Sequence, residues 1–224
     1  MFGAESGTVT KGSEMRQKSK IATLACGYGG GAVAMMKMGA KEFGLDEKEL
    51  QSLVNAWRAA NRKIVKLWRD VDKAAKKAIR EKTYADLEHL NFEYRGKMLC
   101  IRLPSGRRLY YIKPKIETNE KGYEEITYEG MGPQHKWCRI NTYGAKLVEN
   151  IVQAIARDIL FDAMQRLNSA ELEIVMHVHD EVLIEASPGV SLEAVCELMS
   201  KTPLWAKGLP LRTDGYESQF YKKS

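Results

Sequence analysis

The chain has 224 residues, 44% of them hydrophobic and 29% charged, and a formal net charge of +6. This balance is typical of a globular protein with one sizeable core or two small ones, and the positive charge suits a polyanionic partner without requiring one. No apolar run approaches the length that spans a bilayer, so no membrane partner is expected. The four cysteines form no CxxC pair, which favours a reducing cytoplasm over a zinc site or a disulfide framework.

Helical spacing dominates the first part of the chain. A loose segment over 1–12 precedes a helical pattern over 13–39, which glycines interrupt from Gly27 onward and which Ser13 or Thr10 could cap. A longer amphipathic helical region follows over 46–82. Its polar face is rich in Lys and Arg, for which simple solvation is the first explanation and contact with DNA the alternative.

Strands appear from about residue 90. Short strand patterns cover 92–94, 98–103 and 108–112. A helix is then predicted over 146–167, followed by a β-hairpin over 174–186, a helix over 191–201 and a closing strand over 209–213. Helices followed by strands and hairpins predict the α+β class, with an antiparallel sheet.

Two cations and an aromatic residue share one face of the first predicted helix. The residues stand four apart, a spacing that places them along one slowly rotating face: Arg16, Lys20, Leu24 and Tyr28. Cations at this spacing repel each other unless an anion lies between them, and a triphosphate would fill that role. A surface helix with incidental charges is the alternative.

The tripeptide His179-Asp180-Glu181 joins the two strands of the predicted hairpin. An acidic pair held on rigid strands can bind a hard divalent cation such as Mg²⁺. A solvated turn is the alternative when this motif is considered alone.

Together the two motifs, in this order, resemble motifs B and C of the family A DNA polymerases, the group that contains bacterial DNA polymerase I and many phage replicases. Motif B corresponds to 16–29 and motif C to 178–181. Other stretches are similar to phage and prophage members: 11–16, 103–111, 142–150 and 214–218. The resemblance covers essentially the whole chain, and it implies helical fingers over 13–85 and a C-terminal palm portion over 86–224.

The resemblance also implies roles for individual residues. Arg16 and Lys20 would hold the phosphates of an incoming dNTP, and Lys20 would also protonate the leaving pyrophosphate. Tyr28 would stack near the templating base, and Leu24 stands where many relatives carry an aromatic residue that contacts the sugar. Asp180 and Glu181 would bind the catalytic metal ions. A further group would lie close to the primer–template DNA: His179, Tyr143, Lys146, Asn150 and Gln153.

One part of the family's site is not found in the sequence. The family takes a second catalytic Asp from motif A, before motif B, whereas the first Asp of this chain is Asp46. Two-metal chemistry needs carboxylates from separate strands, so the Mg²⁺ site is expected to be incomplete and the chain alone to extend primers poorly. Three interpretations stay open: an enzyme half that needs a second chain with the thumb and motif A, a piece of a longer polymerase, or a non-catalytic DNA-binding remnant.

Overall fold

The computed structural model describes residues 13–40, 46–120 and 122–221, so the predicted loose segment 1–12 lies outside the described residues. The helices of the described part are α1 Glu14–Gly27, α2 Ala32–Lys37, α3 Glu47–Ala60, α4 Arg62–Glu81, α5 Gly144–Ser169 and α6 Leu192–Ser200, with a 3-10 helix over Leu204–Ala206. The strands are β1 Tyr84–Leu87, β2 Leu90–Arg95, β3 Met98–Arg102, β4 Arg108–Thr118, β5 Glu124–Met131, β6 Trp137–Thr142, β7 Glu173–Val178 and β8 Glu181–Glu185. The predicted α+β class is confirmed.

Two compact units divide the chain. The first contains the described residues up to Ile101 together with Leu109–Asn150, and the second contains Arg102–Arg108 together with the described residues from Ile151 onward. Helix α5 begins in the first unit and continues into the second. None of the described helices combines the length and apolar character that a bilayer span requires.

A six-stranded sheet in sequence order, β1 to β6, forms the strand layer of the first unit. Neighbouring strands pair antiparallel where the chain turns back on itself, as in β5–β6, where Ile126 faces Thr142 and Met131 faces Trp137. Helix α4 packs on β1 and β2. The largest fully buried side chains of this unit include Phe92, Leu99, Ile101, Ile126 and Leu147.

The amphipathic region predicted over 46–82 forms two helices that meet at Asn61. Asn61 ends α3 because its backbone N–H and its side-chain amide both donate to the carbonyl of Trp57, at 2.9 and 2.8 Å. The two helices also pack through their aromatic rings, since Trp57 and Trp68 are stacked with ring centroids 6.0 Å apart. At the other end of α3, Asp46 and Glu49 form a capping box.

The core of the second unit comes mainly from α5, whose buried residues there are Ile151, Ala154, Leu160, Ala163 and Leu167. Helix α6 and the two-stranded sheet β7–β8 contribute no fully buried residue among those described. The predicted hairpin and the predicted helix over 191–201 are thus confirmed as elements.

The closing strand predicted over 209–213 is wrong. The backbone groups of this segment bond to nearby loop and helix groups: Leu209 N–H donates to Ala206 O, the Thr202 hydroxyl donates to Leu209 O, and Thr213 N–H donates to Ser200 Oγ. Apolar residues alone do not make a strand, because a strand needs a partner for its ladder of hydrogen bonds.

Candidate functional site

The four residues of the predicted stripe share the exposed side of α1: Arg16, Lys20, Leu24 and Tyr28. The opposite side of the helix is buried through Ala22, Ala25 and Cys26. Ser13 begins the helix, and its hydroxyl accepts a hydrogen bond from Arg16 N–H at 3.3 Å. With the described side chains, neither Arg16 nor Lys20 forms an ion pair, so both cations are available to an anionic ligand.

The end of α1 is held in a fixed geometry beside Tyr28. Gly30 N–H donates to Ala25 O and Gly29 N–H donates to Cys26 O, each at 2.9 Å, which is the bond pattern of a Schellman motif. Gly29 has φ +77°, and a Cβ at this position would lie 2.4 Å from Cβ of Ala145 and 3.8 Å from a ring carbon of Tyr143. Tyr28 and Tyr143, which were predicted for different roles, are therefore brought into one neighbourhood.

Arg58 of α3 also contacts this turn. Its Nη2 donates to the carbonyls of Gly29 and Gly30, at 3.5 and 3.3 Å. Burial raises the pKa of the Cys26 thiol, and the positive charge of Arg58 partly offsets that rise. The sequence prediction missed Arg58, because its partners lie almost thirty positions earlier in the chain and no local pattern connects them.

Helix α5 begins in very close contact with α4. A Cβ on Gly144 would lie 1.9 Å from the carbonyl oxygen of Trp68, so only glycine fits there. Gly144 N–H donates to Asp72 Oδ1 at 3.1 Å, and Asp72 also pairs with Lys76 at 2.6 Å. This contact positions the exposed side chain of Tyr143, which immediately precedes the helix.

The other predicted DNA contacts on α5 have different surroundings. Lys146 is exposed and pairs with Glu149 at 2.8 Å. Asn150 donates from its amide to the hydroxyl of Tyr111 at 3.0 Å, and burial raises the pKa of Tyr111 to about 12. Part of the hydrogen-bonding capacity of Asn150 is therefore already used within the protein, whereas Gln153 is exposed and belongs to the second unit.

In the second unit, the acidic tripeptide lies at the turn of the β7–β8 hairpin. Val178 pairs with Glu181, which leaves His179 and Asp180 as the two turn residues. His179 has φ +55°, a left-handed conformation that His adopts more readily than most residues. Asp180 is exposed and Glu181, the first residue of β8, is half-buried.

Asp180 and Glu181 are consecutive carboxylates, and Mg²⁺ prefers such oxygen ligands. Over the described ranges, however, no group of three or more His, Cys, Asp or Glu side chains could hold a metal ion. The two carboxylates are thus suitable ligands for Mg²⁺, but they are too few to hold the ion by themselves. The cations of α1 belong to the first unit and these carboxylates to the second, so their convergence on one nucleotide stays a prediction.

Comparison with known proteins finds similarity to a phage protein. The chain is similar along its whole length to a DNA polymerase of Bacillus phage SP02, with 51% identity over 226 aligned positions that cover 100% of this chain and 35% of the phage protein. The chain thus spans about 35% of the length of the curated relative it matches. No protein-family model matches the chain, and no solved structure matches it.

Proposed function

We propose that this chain supplies the fingers and part of the palm of a family A DNA polymerase and takes part in template-directed DNA synthesis. The observation that carries the proposal is the 51% identity to a phage DNA polymerase over the full length of the chain. The exposed cation pair on α1 and the acidic hairpin turn support it, because each has the chemistry that its part of a polymerase site needs.

The exposed side of α1 binds the incoming dNTP in this proposal. Arg16 and Lys20 neutralise phosphate oxygens, which is a favourable use of two neighbouring cations. Tyr28 stacks near the templating base, and Leu24 lies beside the sugar. When the primer 3′-hydroxyl gives its proton to solvent water and attacks the α-phosphate, the bond from the α-phosphorus to the oxygen of the β-phosphate breaks, and Lys20 donates a proton to the departing pyrophosphate.

The hairpin turn contributes to a Mg²⁺ site. Asp180 and Glu181 would hold the ions, which when bound lower the pKa of the 3′-hydroxyl and stabilise charge on the reacting phosphates. Among the described residues no third metal-binding side chain joins this pair, which supports a further carboxylate, the motif A Asp, from outside this chain. We infer that a second chain, or the rest of a longer polymerase, supplies it together with the thumb.

The primer–template DNA lies near the turn and near α5. In this proposal His179 lies beside the primer terminus, and its position in the turn next to Asp180 supports that role. The exposed residues Tyr143, Lys146 and Gln153 contact the DNA strands, and Asn150 offers its amide oxygen, since its N–H₂ group already donates to Tyr111.

A chimeric polymerase tests the proposed function. The matched region of the Bacillus phage SP02 polymerase is replaced by this chain, and primer extension is measured with radiolabelled primer–template. We expect the chimera to extend primers and Asp180→Asn to lower the rate about a thousandfold, since a lost metal ligand removes roughly 4 kcal/mol of transition-state stabilisation. Glu185→Gln, at the exposed base of the same hairpin, is the matched control and should leave the rate unchanged.

The alternative is a DNA-binding remnant without chemistry, with which the small carboxylate set of the described residues agrees equally well. A folded chimera that binds primer–template but extends it no faster than its Asp180→Asn variant would establish the remnant and exclude the enzyme. Efficient extension by the 224-residue chain alone would instead contradict the need for a carboxylate from another chain.

A further inference from the structure

The outer face of α4 is a continuous row of cations. At about 100° per residue, six basic side chains fall within roughly 80° of one another: Arg62, Lys66, Arg69, Lys73, Lys77 and Arg80. The buried residues of the same helix lie on roughly the opposite side: Trp68, Val71, Ala75, Ala78 and Ile79. A convex face whose charges were paired with acids would need no ligand to explain it, because water and the acids would satisfy its cations.

The surface around the first cations of this row, at the start of α4, is concave. An open groove of about 380 Å³ lies where α3 meets α4, and its lining contains four cations and no carboxylate: Arg58, Ala59, Arg62, Val65, Lys66 and Arg69. Arg62 is oriented within the groove by a hydrogen bond from its Nε to Ala59 O at 3.2 Å. Four positive charges around one groove repel one another, so an anion that enters it is attracted by all of them.

Nearby acids neutralise only part of the row. Asp70 pairs with Lys66 at 2.5 Å, and Glu124 pairs with Arg80 at 2.9 Å. Among the described residues, no ion pair forms at the other cations of this face: Arg62, Arg69, Lys73 and Lys77. Uncompensated charge therefore extends along the helix from the groove, over a length that suits an extended polyanion better than a single small anion.

We propose that this surface, the α4 groove formed by Arg58, Arg62, Lys66 and Arg69, binds the phosphodiester backbone of a DNA strand. The choice of DNA as the polyanion rests on the proposed function. The lining of the groove holds only basic and apolar side chains, which suit phosphate groups, so we expect binding that does not depend on sequence. Arg62 and Arg69 carry the contact, because both are exposed and neither is paired with an acid among the residues that the structure describes.

Salt-dependent binding tests the groove. Binding of the full chain to a fluorescein-labelled single-stranded oligonucleotide is measured by anisotropy from 50 to 300 mM KCl, with two unrelated sequences. Arg62→Gln/Arg69→Gln removes two contacts and should reduce the slope of log Kobs against log [salt] by about 1.4, since each single-strand phosphate contact contributes about 0.7. The control Arg95→Gln/Lys115→Gln removes two exposed cations elsewhere in the first unit and should leave the slope unchanged.

The same variants separate the possible sources of phosphate. Inorganic triphosphate should compete with the oligonucleotide only weakly and equally for both double variants. An unchanged slope in Arg62→Gln/Arg69→Gln, or an equal change in the control, would overturn the proposal and leave a solvated face. Tight triphosphate binding that only the groove variant loses would overturn it in favour of a small polyanion site. Primer extension by the chimera with Asp180 intact reports separately on the proposed function.

Discussion

Gly29 and Ala145 touch where the end of α1 meets the start of α5. A Cβ on Gly29 would lie 2.4 Å from the Cβ of Ala145, and Gly29 has a φ of +77°. Both the left-handed conformation and the close approach therefore require glycine. This contact holds Tyr28 and Tyr143 near each other, so the packing of two glycine-containing helix ends determines the geometry of the proposed nucleotide site.

Gly29→Ala should lower the free energy of unfolding by about 3 kcal/mol. A left-handed alanine costs about 1–2 kcal/mol, and the overlap with Ala145 adds about 1–3 kcal/mol. Gly106→Ala is the matched control, because Gly106 has φ +88° but nothing lies within 4 Å of the added Cβ. It should cost only about 1 kcal/mol in the same urea titration. Equal losses for the two variants would mean that the contact with Ala145 does not constrain the end of α1.

The buried phenol of Tyr111 should make the free energy of unfolding fall at alkaline pH. Its pKa is raised to about 12 by burial, from 10.0, so the folded protein keeps the phenol neutral while the unfolded chain ionises near pH 10. The stabilisation is fully present below pH 10 and is lost as the pH rises from 10 to 12, amounting to about 1.4 kcal/mol lost by pH 11. Urea unfolding of wild type at pH 8 and pH 11 measures it.

Two phenylalanine variants isolate that contribution. Tyr111→Phe should be about 1 kcal/mol less stable at pH 8, because the amide of Asn150 loses its acceptor, but it should lose less stability than wild type between pH 8 and pH 11. Tyr110→Phe, at the adjacent exposed position, should retain the wild-type pH dependence. If Tyr111→Phe weakens at alkaline pH as much as wild type, another group is responsible.

The sequence predicted those features that depend on local spacing. The exposed face of α1 follows from a spacing of four, and the hairpin follows from two β-branched runs around a polar turn, so both could be predicted without a structure. The contact of Arg58 with the Gly29 turn could not, because it depends on how α3 packs against α1. The strand predicted over 209–213 failed for the same reason: its apolar residues were visible, but the absence of a neighbouring strand for it was not.

The loop between β3 and β4 is bonded to Asp158 of α5, and these bonds should stabilise the second unit. Asp158 accepts hydrogen bonds from Ser105 at 2.5 Å and from Arg107 at 2.6 Å, and its side chain is only 11% exposed. Asp158→Ala should lower the free energy of unfolding by about 2 kcal/mol, because it leaves both donors without their acceptor. Asp214→Ala is the control, since the Arg212–Asp214 pair is 86% exposed on each side and should contribute less than about 1 kcal/mol. Thermal or urea unfolding that gives equal losses would show that the loop is not fastened through Asp158.

Lys20 has two proposed tasks, and the chimeric polymerase can separate them. Lys20→Arg retains the positive charge that binds the dNTP phosphates, but a guanidinium does not give up a proton near neutral pH. We expect its KM for dNTP to stay near that of the parent chimera while kcat falls about 10²–10⁴-fold, the usual contribution of a general acid. Lys20→Gln should raise KM as well.

A control lysine outside the proposed site separates the effects of the Lys20 variants on KM and kcat from general changes in charge. Lys37 is exposed on α2, and its Arg and Gln variants should match the parent chimera in both constants. If Lys20→Arg retains full kcat, Lys20 acts through charge alone and the proton reaches pyrophosphate from another donor, such as water. If Lys20→Gln leaves KM and kcat unchanged, the exposed face of α1 does not bind the dNTP, and the dNTP-binding roles proposed for Arg16 and Tyr28 on that face are wrong as well.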